Sequence, residues 1–245
     1  MVARPRQFPS FKPVDSAALR LLCFPFAGGG SAIYRDWWSA LSPAIEVIAY
    51  EPKGRSSRFR EPAEGSIPAV LDDVELGLAE IEKQHGKKKL ALFGHSMGGR
   101  MAYAFATSKR RALEHVFLSA SRPPFIPSRA RAHLDDAGIA AELVRLGGTP
   151  KEILESPEML AMVLPMMRAD FAIVEAQLPL DALTMPLTVF AGENDLEATP
   201  DATRRWNELA GEDFVYELFP SGHFFLVTNR EEIFTRVRAR LGAAL

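Results

Sequence analysis

The chain has 245 residues, 47% hydrophobic and 24% charged, and its 29 Lys and Arg nearly cancel 31 Asp and Glu to leave a net charge of −2. That length fits one large α/β domain with a substantial core, and the balanced charge argues against a nucleic-acid or anionic-membrane binder. The composition is neither disordered nor fibrous, and no run approaches the roughly 18 uninterrupted apolar residues of a membrane span.

The first apolar run, Leu19 to Phe26 (LRLLCFPF), reads as a strand and holds the single cysteine, Cys23. A small buried residue is the expected role for Cys23 rather than a nucleophile. It cannot form an internal disulfide, and the N-terminal MVARPRQFPSFKPVDS lacks the apolar stretch of a secretory signal, so a cytoplasmic location is expected. Three glycines, Gly28 to Gly30, follow the strand. A phosphate cradle is one reading of them, but neither G-x-G-x-x-G nor a P-loop fits.

A second strand is predicted from Glu46 (EVIAYEP). Val70, Leu71, Val74, Leu78 and Ile81 then fall near a 3.6-residue period, which places one apolar stripe on a helix. A third strand, Lys89 to His95, turns abruptly into glycine and another helical run. Further strands are expected from Leu113, Pro186 and Phe214, with helices around Arg204 and at the C-terminus. Strands alternating with helices indicate an α/β fold, a mostly parallel central sheet with helices on both faces.

The stretch from about 123 to 185 interrupts the rhythm. It has seven prolines and no convincing strand, and it is expected to break into short helices as a lid inserted in the one domain, over the C-terminal edge of the sheet where open α/β folds bind ligands. Five of the eight methionines lie there, Met159, Met162, Met166, Met167 and Met185. They suit either an adaptable apolar ligand surface or the packing of the short helices, and composition does not separate the two.

Gly94-His95-Ser96-Met97-Gly98 fits G-x-S-x-G between an apolar strand and a helix, the context in which a sharp turn exposes a serine nucleophile. The turn also offers the Met97 amide to a developing oxyanion, and the loop after the first strand offers the Ala27 amide as the second donor. Serine needs a base, and the chain has five histidines. His95 rides the turn and should point elsewhere. His85 ends a surface helix, His115 lies in a strand and His133 in the insertion. His223, on a glycine-containing loop after the last strand, is the expected general base. Asp195, at the end of TVFAGEND, is the preferred carboxylate partner and gives the chain order Ser, Asp, His. Glu193 is its nearest rival, whereas Glu197, Asp201 and Asp213 read as solvated charges.

With these residues placed, the chain resembles the type II thioesterases, stand-alone α/β-hydrolase editing enzymes of nonribosomal peptide and polyketide synthases. The resemblance runs from about Leu21 to Leu226. It rests on FPFAGGGSAIYRDWW (Phe24–Trp38), GRSSRFREP (Gly54–Pro62), FGHSMGGRMAYAFA (Phe93–Ala106), LGGTPKEIL (Leu146–Leu154), LPMMRADF (Leu164–Phe171) and SGHFFL (Ser221–Leu226) together. It implies a triad of Ser96, Asp195 and His223, an oxyanion hole at Ala27 and Met97, and an acyl group on an acyl or peptidyl carrier protein as substrate. No cofactor or metal is implied, since the phosphopantetheine arm belongs to the carrier. Acidic carriers would make Arg122, Arg129 and Arg131 candidates for steering the encounter. Three features depart from the family pattern: Lys53 before the Gly-Arg pair, SASRPPF in place of a Ser-Gly-Arg-Arg run, and EAQL without a tyrosine. They bear on substrate shape rather than on the triad. A medium-chain acyl-carrier thioesterase of fatty-acid synthesis, a carboxylesterase or lipase, and a non-catalytic hydrolase-like binding module share parts of this pattern.

Overall fold

The computed structural model describes residues 4–242. Six strands form one sheet in the order β2-β1-β3-β4-β5-β6, every neighbouring pair parallel. They are β1 (Leu19–Phe24), β2 (Ile45–Ala49), β3 (Lys89–His95), β4 (His115–Ser119), β5 (Leu187–Gly192) and β6 (Phe214–Phe219). Each predicted strand is present, β3 with the bounds expected and the others ending before their apolar runs do. β1 stops before Pro25, which has no N–H to give a ladder.

The side-chain period of two builds a core on each face. Along β1, Leu22 and Phe24 face α2 (Ile67–His85) and α3 (Met97–Thr107), while Leu19, Leu21 and Cys23 face α1 (Arg35–Leu41) and the C-terminal helix Arg230–Gly242. The α2 stripe predicted from periodicity is buried from Val70 to Ile81. On the other face Trp37 meets the rings of Tyr34, Phe93 and Phe234 edge-on at centroid distances of 4.5–5.2 Å, a geometry the aromatic quadrupole favours.

Between β4 and β5 the chain forms α4 (Asp136–Leu146), α5 (Lys151–Glu155) and α6 (Pro157–Glu175). Only α5 is short. α6 runs 19 residues with Pro165 inside it, contrary to the expectation of short helices throughout. Proline there removes the N–H that would bond Ala161, an exposed residue. Leu164, Met167 and Phe171 of α6 pack on Ile139 and Leu143 of α4. Each apolar side chain so buried contributes about 1.5–3 kcal/mol, which outweighs the roughly 3 kcal/mol cost of an interior proline.

After β5 come α7 (Pro200–Arg204), β6, α8 (Phe225–Thr228) and α9 (Arg230–Gly242). Among the described residues no helix is long and apolar enough to cross a membrane. The loops after β1, β3, β5 and β6 leave the sheet at its carboxyl edge, and α4 to α6 lie over that edge.

Candidate active site

Ser96 joins β3 to α3 with φ 56° and ψ −114°, a conformation that costs a non-glycine residue on the order of 1–3 kcal/mol. Its amide donates to the Ser119 carbonyl at 2.8 Å, which pins the turn to β4. A Cβ on Gly94 would lie 2.1 Å from the Gly98 carbonyl oxygen, and one on Gly98 would lie 2.1 Å from that of Phe24. The two outer residues of G-x-S-x-G are therefore glycine because three stretches of backbone close on one another there.

The strained turn raises the Ser96 hydroxyl to the loop after β6. His223 Nε2 is 2.9 Å from Ser96 Oγ, and its Nδ1 is 2.8 Å from Asp195 Oδ2. A carboxylate offers no proton, so Nδ1 donates to Asp195 and Nε2 is left as the acceptor for the serine hydroxyl. Asp195 is buried, which pushes its pKa up. The His223 ring and the amides of Glu197 and Ala198 outweigh that and hold it below the ordinary carboxylate value. Glu193 is exposed and has no contact with the ring. The structure thus brings Asp195, not its rival, to the histidine.

The glycine loop turns back over the serine. Phe26 to Gly29 is a β-turn closed by the Gly29 amide on the Phe26 carbonyl at 2.9 Å, with Gly28 at φ +80° in the third position, where a left-handed residue is required. The Gly28 amide donates to Asp170 Oδ2 at 2.7 Å, and Asp170 is ion-paired with buried Arg55. Among the described residues the Ala27 and Met97 amides have no acceptor within the chain. Both residues line the cavity that holds Ser96 and His223.

A strained serine, a histidine and a buried aspartate in hydrogen-bonded sequence beside two unpaired amides are equipped for acyl transfer. The thioesterase domain family profile matches residues 19–241. The chain belongs to that family. It is 32% identical over 237 residues to a probable cadicidin biosynthesis thioesterase of Streptomyces griseus, covering 94% of this chain and 64% of that one. It is 32% identical over 230 residues to thioesterase PikA5 of Streptomyces venezuelae, covering 91% of this chain and 81% of that one. The RedJ thioesterase of the prodiginine pathway in Streptomyces coelicolor superposes with a TM-score of 0.81 at 30% identity, over 93% of this chain and 87% of that one. The resemblance drawn from the motifs and the α/β-hydrolase fold both stand.

This thioesterase uses His95 in a way the sequence reading did not foresee. The ring does avoid Ser96, but it is buried and bonded at both nitrogens, Nδ1 to Ser119 Oγ at 2.8 Å and Nε2 to the His223 carbonyl at 3.0 Å. Burial, and then the neighbouring His223, push its pKa down to about 3, so it is neutral. The remaining histidines lie elsewhere. His115 bonds Thr188 within the core, His85 packs on Phe11 and His133 is exposed.

Two expectations are corrected. Arg131 is not a free steering charge, because it is buried and ion-paired with Glu142 at 2.8 Å and Glu197 at 2.6 Å. Glu197, expected as a solvated charge, is held by Arg131 and Arg145. Of the trio, Arg129 is exposed and pairs with Glu142, while Arg122 faces the cavity. The methionines divide between both readings: Met166 and Met167 line the cavity, Met185 packs on the sheet core, and Met159 and Met162 are exposed.

Proposed function

We propose that this thioesterase releases acyl groups from the phosphopantetheine arm of acyl or peptidyl carrier proteins, as a type II editing enzyme of a polyketide or nonribosomal peptide synthase. The observation that carries the reading is the continuous hydrogen-bonded line from Ser96 through His223 to Asp195. The names of the relatives supply the pathway class.

In this reading the thioester carbonyl sits beside Ser96. His223 Nε2 takes the hydroxyl proton as Oγ attacks, and Asp195 stabilises the charged ring. The Ala27 and Met97 amides hold the tetrahedral oxyanion, each such donor contributing about 3–4 kcal/mol in the transition state. Collapse breaks the C–S bond and releases the pantetheine thiol, which carries the proton from His223. Water then attacks the acyl-serine, gives its proton to His223 and leaves the free acid, with the proton returned to Ser96. A thiol with a pKa of about 8.5 leaves readily, so the chemistry calls on no metal or resident cofactor.

The cavity has a volume of about 180 Å³, more than the roughly 150 Å³ that holds a benzene ring, so it has room for at least a short acyl group. A panel of short, medium and long acyl groups on carrier proteins, run against wild type and Ser96→Ala, tests the proposal. Serine-dependent release of the shorter groups is expected. Preference for oxygen esters would move the reading to a carboxylesterase, and preference for longer fatty acyl chains to a fatty-acid synthase partner. No release at all would overturn it.

A further inference from the structure

The acyl cavity is mainly apolar, with Leu143, Val163, Met166 and Met167 in its wall, yet among the described residues two guanidinium groups that line it, Arg100 and Arg122, have no carboxylate within ion-pair distance, and Arg122 feels Glu197 and Asp195 only at longer range. Arg100 lies four residues after Ser96, one turn along the same face of α3. Only 6% of it is exposed, its one hydrogen bond runs from Nη2 to the Ala176 carbonyl, and its Nε has no partner. Arg122 also lines the cavity, and among the described residues its hydrogen-bond partner is the Pro127 carbonyl. Ser121 is 3% exposed, with a hydroxyl that has no partner. Its side chain lies flush against α3, since a Cβ on Gly99 would meet Ser121 Oγ at 2.6 Å. Glu197, the one carboxylate among the lining residues, is taken up by Arg131 and Arg145.

Buried polar atoms without partners are rare in folded proteins, and an uncompensated buried guanidinium is costly. Burial and the neighbouring Arg122 lower Arg100 only to about 10, so it is charged at neutral pH. An anion entering this part of the cavity would meet the Arg122 guanidinium first, and a small rotation of the Arg100 and Ser121 side chains would bring their unpartnered donors to it, a set that suits a carboxylate.

We propose that Arg100, Ser121 and Arg122 form an anion-binding subsite in the acyl cavity, which selects acyl groups carrying a distal carboxylate. The inference rests on the thioesterase reading above and adds a substrate class to it. The phosphate of the pantetheine arm is not the anion in question, because it lies at the far end of the arm from the thioester that must reach Ser96. The guanidiniums favour dicarboxylic half-thioesters over hydrocarbon chains of equal length and volume.

The test compares kcat/KM for glutaryl and adipoyl thioesters of pantetheine lacking its phosphate with isosteres in which an isopropyl group replaces the carboxylate. The subsite predicts a preference of about tenfold or more for the carboxylated member, falling at least tenfold in Arg100→Met and severalfold in Arg122→Gln and Ser121→Ala, mostly through KM. If Arg100→Met does not fold, the wild-type ratio and the other two variants decide the matter. Equal rates for both members of each pair, or a ratio unmoved by Arg122→Gln and Ser121→Ala, would overturn the subsite while leaving the thioesterase reading in place. Should no thioester be turned over in a Ser96-dependent way, calorimetric titration of free glutarate into Ser96→Ala still judges the subsite. Binding that Arg122→Gln weakens supports it, and no binding at millimolar glutarate rejects it.

Discussion

His95 donates its Nε2–H to the main-chain carbonyl of His223 at 3.0 Å, so the residue before Ser96 holds the loop that carries His223. A carbonyl has no proton to give, which fixes the tautomer and leaves Nδ1 to accept from the Ser119 hydroxyl. The elbow, the end of β4 and the loop after β6 are thereby joined by one neutral ring.

Replacing that ring has a stated consequence. His95→Leu leaves the Ser119 hydroxyl and the His223 carbonyl without their partner, at about 1–3 kcal/mol of stability. Because the loss falls on the loop that sets the 2.9 Å contact between His223 and Ser96, kcat should drop at least tenfold with KM little changed. Denaturant melts and steady-state kinetics check both.

Strain at the elbow sets function against stability. Ser96→Gly relieves a left-handed conformation that costs roughly 1–3 kcal/mol, so the variant should be inactive yet at least as stable as wild type. Gly98→Ala acts in the opposite sense, since its Cβ would lie 2.1 Å from the Phe24 carbonyl oxygen. It should destabilise by about 3 kcal/mol or fail to fold. Urea midpoints of the two variants distinguish these outcomes.

Stability should fall on mild acidification. Burial lowers the pKa of His95 to about 3 and that of His115 to about 4, against an ordinary value near 6.5. Between those limits the unfolded chain binds protons that the folded one refuses, so each histidine removes stability as pH drops from about 6.5, by up to about 1.4 kcal/mol per pH unit. The contribution is fully present above pH 6.5. His115→Gln keeps a group able to bond Thr188 and should lose less stability than wild type between pH 7 and pH 5, measured as denaturant midpoint against pH.

The inserted helix α4 is tied to the loop that carries Asp195. Arg131 bridges Glu142 of α4 and Glu197, whose own amide donates to Asp195 Oδ1 at 2.8 Å. Arg131→Met should cost about 2–3 kcal/mol, less than the roughly 3–5 of a pair broken outright, because Arg145 also contacts both carboxylates. Faster hydrogen exchange in α4 and α6, with the β3 amides still protected, is the expected signature.

Much of this architecture was legible in local sequence. Apolar runs bounded by glycine and proline marked all six strands, and the G-x-S-x-G pattern between strand and helix marked the elbow. The late positions of Asp195 and His223 pointed to the partners of the serine. What escaped depends on contacts between distant stretches. The partners of Arg131 lie 11 and 66 residues away in sequence, and the two hydrogen-bond partners of the His95 ring lie 24 and 128 residues away. α6 persists through Pro165 because of the residues it packs against, which no helix propensity encodes. That Arg100 Nε and Ser121 Oγ lack partners is likewise a property of the folded cavity alone.

The most direct test of the central claim is intact-protein mass spectrometry after rapid mixing with an acyl-pantetheine thioester. The account predicts an adduct of the acyl mass located on Ser96, absent in Ser96→Ala and formed at least about a thousandfold more slowly in His223→Ala. An adduct on another residue, or thioester turnover that persists in Ser96→Ala, would contradict it.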